Sequence, residues 1–209
     1  MKNLLIIGAR GLGREVYNML PHCIGYGTEY VVKGFLDDKT DALDGMPGYP
    51  PIIDSVEHYI PQQDDVFTCA LGDAKWKKHY VEIILKKGGF FINILHNTSS
   101  IGRNSVIGRG CIFCKDVDIS CDSVLKDFVT IQANANVGHD AKIGEYCHLG
   151  VRSFMGGHSL LGELSTIQTG GIILPKIRVG NSCMIGAGAV VIKKVKDGET
   201  VYGNPARRL

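Results

Sequence analysis

Nowhere in the 209 residues does an apolar run approach the roughly 18 needed for a membrane-spanning helix. Met1-Lys2-Asn3 leads into a short strand-like run and not a signal peptide, so a cytoplasmic protein without membrane insertion is expected. Charge of one sign is nearly absent. The 23 Lys and Arg against 21 Asp and Glu leave +2, which gives no electrostatic case for nucleic acid or an anionic membrane. An anionic ligand must therefore be met locally. The seven cysteines show no obvious disulfide framework, which fits reduced thiols.

What is present is a six-residue beat. From Ile101 in steps of six the chain reads Ile101, Ile107, Phe113, Ile119, Leu125, Ile131, Val137, Ile143, Leu149, Met155, Leu161, Ile167, Ile173, Val179, Ile185 and Val191, all apolar. Four residues after each, the side chain is mostly small or β-branched, with Cys111, Cys147 and Cys183 on that position. An uninterrupted repeat of this kind predicts a solenoid in which each hexad is a short strand plus a corner and three hexads make a triangular coil. The apolar residues fill the interior and the small ones line the wall. At about 4.8 Å per stacked strand, five coils make a prism roughly 25 Å tall. The Gly- and Pro-containing tail, Val201 to Ala206, breaks the beat and is expected to fold over the last coil. The exposed prism walls favour side-by-side association.

Before the beat, Asn3 to Ile7 reads as a strand, Gly8-Ala9-Arg10-Gly11-Leu12-Gly13 as a turn, and Arg14 to Leu20 as a helix stopped by Pro21. Strands follow at 31–36, 66–71 and 90–95, with a short helix expected over 54–59. The segment 74–87 places Trp76, Tyr80, Ile83, Ile84 and Lys87 at helical spacing. This alternation predicts a small parallel sheet, hence an α/β Rossmann-like domain over residues 1–95 followed by a β-helix domain over 96–209. The turn spaces its glycines as G-x-x-G-x-G, which argues against a dinucleotide site built on G-x-G-x-x-G. Its helix N-terminus still suits an anionic group. Asp37-Asp38 and Gly72-Asp73 close two other strands at the same sheet end, where ligands of such sheets bind. Glycines for a tight turn and solvated aspartates are the alternative reading.

Within the prism His139 falls outside the core, on Gly138-His139-Asp140-Ala141. A coil of 18 residues stacks Gly157 on His139 and His158 on Asp140, while His148 projects from the next wall. A histidine beside a carboxylate suits general-base chemistry near neutral pH. Metal binding by His139, Asp140, His148 and His158 is a rival reading, but no pair has the short spacing typical of zinc, so no metal is expected. A structural role for these histidines is the third reading.

The beat resembles the left-handed parallel β-helix (hexapeptide repeat) acyltransferases. Joined to the Gly8–Gly13 turn, Phe35-Leu36-Asp37-Asp38, Ala70-Leu71-Gly72-Asp73, Leu95-His96, Val137-Gly138-His139-Asp140, Ile143-Gly144-Glu145 and Gly203-Asn204-Pro205-Ala206, it is similar to the NeuD/PglD-type sugar acetyltransferases. The resemblance implies acetyl transfer from acetyl-CoA, a co-substrate, to a sugar amine or hydroxyl in a homotrimer, with no tightly bound cofactor. It implies a site between neighbouring prisms, with His139 as base and Asp140 beside it. Gln132 would contact substrate, and His148, Gly157, Thr169 and Ala187 would lie along acetyl-CoA. Gly8, Ala9, Arg10, Gly11, Asp37, Asp38, Gly72 and Asp73 would hold a nucleotide-linked sugar. Leu12 departs from the polar or histidine residue that some members carry in the turn.

Overall fold

The computed structural model describes residues 1–209 and divides into two compact units, Met1–His96 and Asn97–Leu209. In the first, β1 (Lys2–Ile7), β2 (Tyr30–Leu36), β3 (Ile52–Asp54), β4 (Asp65–Cys69) and β5 (Phe90–Phe91) form one parallel sheet in the order β3-β2-β1-β4-β5. Helices α1 (Gly11–Met19) and α2 (Ala74–Lys86) connect them, and the chain order reverses at β1. Leu4, Leu5 and Ile6 are fully buried, as a strand covered on both faces requires.

Three details depart from expectation. Residues 54–59 form no helix: Ile52–Asp54 pairs with β2, and Val56 buries its side chain in the turn that follows. The ladder to β2 satisfies more backbone than one isolated helical turn would. The run 90–95 breaks into Phe90–Phe91, which pairs with β4, and Ile94–Leu95, which leaves this sheet. Helix α2 buries Ala74, Lys77, Val81 and Ile84, whereas Trp76 is 55% exposed. Its true inner face is therefore rotated from the aromatic stripe, with the lysine stem serving as apolar filling. The Gly88 end cap does occur, in the left-handed conformation at φ +80°.

The second unit is a parallel β-solenoid that matches a left-handed β-helix. One wall runs from Ser100–Ile101 to Val190–Val191, the second from Val106–Ile107 to Arg178–Val179, and the third from Ile112–Phe113 to Met184–Ile185. Every pairing within these walls joins residues 18 apart, for example Asp118↔Asn136, Val124↔Lys142 and Thr130↔His148. From Phe113 to Val191 every beat residue is at most 2% exposed. Burying each such side chain contributes about 1.5–3 kcal/mol. Ile101 at 38% and half-buried Ile107 are the exceptions, because the first coil has no earlier coil stacked beneath it on those walls. In the tail, Thr200–Tyr202 adds to Met184–Ile185 and Arg207–Arg208 turns back on it, closing the last coil.

The corners carry a rule that the hydrophobic pattern does not reveal. Three residues after the beat position the backbone is left-handed, at Asn104, Asp116, Asp122, Phe128, Asn134, Asp140, Tyr146, Arg152, His158, Leu164, Lys176 and Ser182. Such a conformation costs a non-glycine residue roughly 1–2 kcal/mol, offset here by the stacked ladder. All seven cysteines are unpaired thiols. Cys111, Cys147 and Cys183 lie buried in one wall, and Cys147 Sγ donates to Gly162 O at 3.0 Å. Cys111 and Cys114 stand at Cys-x-x-Cys spacing, yet Cys111 Sγ turns inward to Lys126 O. Burial pushes the Cys23 thiol up to about 11 and the Cys69 thiol up to about 12.

Candidate functional site

Two clusters, one in each unit, gather some of the residues singled out above. On the solenoid, Val137 is the last strand residue before a corner whose backbone turns through Asp140 at φ +57°. On a flat strand neighbouring side chains point to opposite faces. The corner instead brings His139 Nδ1 to 2.8 Å from Asp140 Oδ2. One coil later, His158 N donates to His139 O at 2.9 Å, and His158 Nε2 lies 3.8 Å from the same Asp140 oxygen. The two imidazoles meet edge to face at 5.0 Å. All three side chains are about half exposed, at 54, 45 and 52%.

Gly157 sits against the face of His139. A Cβ there would lie 2.7 Å from His139 Nε2 and 2.9 Å from Cε1, so any larger residue displaces the ring. The carboxylate accepts a hydrogen bond from Nδ1–H, which leaves the Nε2 lone pair available to take up a proton. Nearby Asp122, one coil below Asp140, is held below the ordinary carboxylate range by hydrogen bonds from Asn104 and then Cys121.

The remaining solenoid residues lie elsewhere. Gln132 follows the third wall, and exposed Thr169 and Ala187 stack on that same corner, 18 residues apart. His139 and Gly157 follow the first wall. One chain therefore divides this set between two corners of the triangle. His148 does not project: it is 8% exposed, on the third wall between Thr130 and Thr166. Thr130 and Thr166, above and below it, are also buried, so this wall hides its outward positions as well as its inward ones.

In the first unit a cavity of about 420 Å³ opens at the carboxyl ends of β1, β2 and β4. Gly8, Arg10, Asp37, Asp38, Asp73, Trp76 and Tyr80 are among its lining residues. Helix α1 can start this close to the sheet only because of a glycine: a Cβ on Gly13 would fall 1.8 Å from Gly8 O. Asp37 is nearly buried, and its Oδ2 accepts from Ala9 N at 2.9 Å while Oδ1 accepts from Lys39 N at 2.9 Å. That carboxylate braces the glycine turn from inside. Exposed Arg10 approaches it at 3.6 Å. Asp38 accepts from the Tyr80 hydroxyl, which burial and that carboxylate push above the usual phenol range. Asp73 caps α2, accepting from Lys75 N and Trp76 N. Nothing lies within 4 Å of a Cβ built at Gly11 or Gly72, so both glycines leave open space. Trp76 stacks on Tyr80 at 5.8 Å. The sequence shows these two rings only as part of a helix face, and their spacing of four is the sign that they form one surface.

Residues 3–84 match the model of the PglD N-terminal domain. The chain is 29% identical over 212 residues to the GDP-perosamine N-acetyltransferase of Escherichia coli, covering 98% of this chain and 95% of that one. Among solved structures it is similar to the acetyltransferase domain of PglB from Neisseria gonorrhoeae, at 29% identity, full coverage of both chains and a TM-score of 0.89. That domain has also been solved in complex with acetyl coenzyme A, with 100% of this chain and 99% of that one covered, again at 29% identity and a TM-score of 0.89. PerB from Caulobacter crescentus, in complex with CoA and GDP-perosamine, shares the fold at 24% identity, with 100% and 98% coverage and a TM-score of 0.89. A segment matching the PglD N-terminal domain is thus joined to a β-solenoid, and the chain is similar over nearly its whole length to sugar and glycan acetyltransferases.

Proposed function

We propose that the chain is an acetyl-CoA-dependent N-acetyltransferase acting on the amino group of a nucleotide-linked amino sugar, for glycan or surface polysaccharide synthesis. The observation that carries this reading is the His139–Asp140 pair, set on an exposed corner with Gly157 against the imidazole. A thioester is already activated, so the protein has to align the amine, remove its proton and stabilise the oxyanion. The amine nitrogen attacks the thioester carbon, and His139 Nε2 takes the proton the nitrogen loses. Asp140 holds Nδ1–H and stabilises the imidazolium that forms. The Gly157 amide is the candidate donor to the oxyanion. Collapse of the intermediate breaks the C–S bond, the departing CoA thiolate takes the proton held on His139 Nε2, and the amide is left. No acyl-enzyme is required.

The first unit supplies nucleotide recognition as a Rossmann-like domain. Its cavity offers the α1 N-terminus and Arg10 for phosphate, and the Trp76–Tyr80 surface for a base. Buried Asp37 acts by holding the turn in shape and not by contacting the ligand. Association into a trimer accounts for the division of Gln132, Thr169 and Ala187 from His139: a corner of one prism laid against a neighbour's completes the set. Acetyl-CoA lies along the groove so formed.

A panel of amino and hydroxy sugars, each carrying UDP, GDP, CMP or no nucleotide, tests the proposal through CoA thiol release. Turnover confined to nucleotide-linked amino sugars is expected. Transfer only to hydroxy sugars would instead establish an O-acetyltransferase, and no transfer to any acceptor would leave a binding module.

A further inference from the structure

The His139 corner holds one group that acetyl transfer does not use. His158 Nε2 lies 3.8 Å from Asp140 Oδ2, the oxygen that also meets His139 Nδ1 at 2.8 Å. The three ligating atoms all lie within 4.8 Å of one another. A tetrahedral ion with bonds of about 2.0–2.2 Å places neighbouring ligand atoms roughly 3.4 Å apart. The observed separations straddle that value, and half-exposed side chains can move the few tenths of an ångström needed. Their backbones are fixed meanwhile, since His158 N bonds to His139 O and Asp140 N to Cys121 O.

We propose that His139, Asp140 and His158 form an inhibitory binding site for a divalent transition-metal ion of the Zn²⁺ type. Two imidazoles and one carboxylate suit such an ion and not Mg²⁺ or Ca²⁺, which prefer all-oxygen shells. The exposed corner leaves the fourth position to water. Short sequence spacing is a poor guide here, because the coil brings together residues 18 or 19 apart. The inhibitory part rests on the proposed function; the binding part does not. A neutral imidazole that ligates through Nδ1 carries its proton on Nε2, so metallated His139 has no lone pair left to accept a proton. The ion also draws Asp140 away from the imidazole.

Co²⁺ titration of full-length protein stripped with a chelator provides the test. Wild type is expected to bind one equivalent per chain, with the visible absorption of a tetrahedral site that Zn²⁺ displaces. His158→Asn keeps His139 and Asp140 and places at φ +58° a residue suited to that backbone. It should weaken binding at least tenfold, since even partners outside the ligand shell matter by about 10–100-fold. Asp140→Asn should do the same. With a working acceptor, Zn²⁺ should inhibit wild type reversibly, and the inhibiting concentration should rise by the same factor in His158→Asn. Equal Co²⁺ affinity in wild type and His158→Asn, a thiolate band from Cys121 unchanged in that variant, or no binding at all would overturn the proposal. Metal binding without transfer to any acceptor would remove the functional reading while leaving the site in place. Transfer without metal binding would do the reverse.

Discussion

At the solenoid corner, His139 meets Gly157 and Asp140 meets His158 because the coils there repeat after 18 residues. In the first unit, Tyr80 reaches Asp38 across 42 residues and Lys33 reaches Asp65 across 32, with no period relating them. The first arrangement is a lattice, in which one strand's position fixes the next. The second is assembled from elements whose meeting depends on how helices settle on a sheet. A lattice places functional groups rigidly and visibly, whereas an assembled cavity depends on individual buried contacts.

Four outcomes bear on this contrast. The largest is expected at His139→Ala, which should lower turnover by about 10²–10⁴-fold while thermal unfolding is unchanged. A full-rate variant would reduce the corner to architecture. Next, Gly157→Ala puts a Cβ 2.7 Å from His139 Nε2 and should cut kcat by roughly tenfold to a hundredfold through misplacement of the ring. Its unfolding midpoint should barely move, because the ring tip can swing outward; a large loss of stability would mean the lattice itself is disturbed. In the first unit, Trp76→Ala should raise KM for a nucleotide-linked acceptor by about tenfold, in keeping with the 1–3 kcal/mol of a base–aromatic stack, and leave KM for acetyl-CoA alone.

The smallest outcome is an acid limit on the first unit. Burial raises the Asp65 carboxyl, but hydrogen bonds from Tyr59 at 2.5 Å, Gln62 N and Lys33 bring it net below the ordinary range. A carboxyl lowered in the folded state contributes stability that is full above its unfolded value near 3.9 and is lost as pH falls through the folded one. The only tryptophan, Trp76, lies in this unit, so its fluorescence should report unfolding of the first unit below about pH 4. Lys33→Met should raise that midpoint; an unchanged midpoint would show that the ion pair contributes nothing there.

Legibility in the sequence follows the same division. The beat alone gives the interior from Phe113 to Val191, the 18-residue register, the outward His139 and the stack of Gly157 and His158 upon it. It overstates the end residues Ile101 and Ile107, and it misjudges His148, because a hydrophobic period says which positions face the core and not which outward ones are also covered. In the first unit, strands and glycine turn could be read, but β3 could not, since three residues directly after Pro50-Pro51 carry no pattern. The rotation of α2 was equally hidden: Lys77 is buried and Trp76 is not, the reverse of their hydropathies.

Sequence by itself thus determined the solenoid, its register and the His139–Asp140 corner, because an apolar residue at every sixth position leaves only one way to close each coil. Tertiary structure decided which atoms of that corner touch, since only the left-handed backbone at Asp140 and His158 turns neighbouring side chains toward one another. It also decided that Asp37 faces inward to brace a turn and that Trp76 and Tyr80 line the cavity beside it. Those choices depend on how α1 and α2 pack against the sheet, and packing is a property of the whole unit that no local pattern encodes.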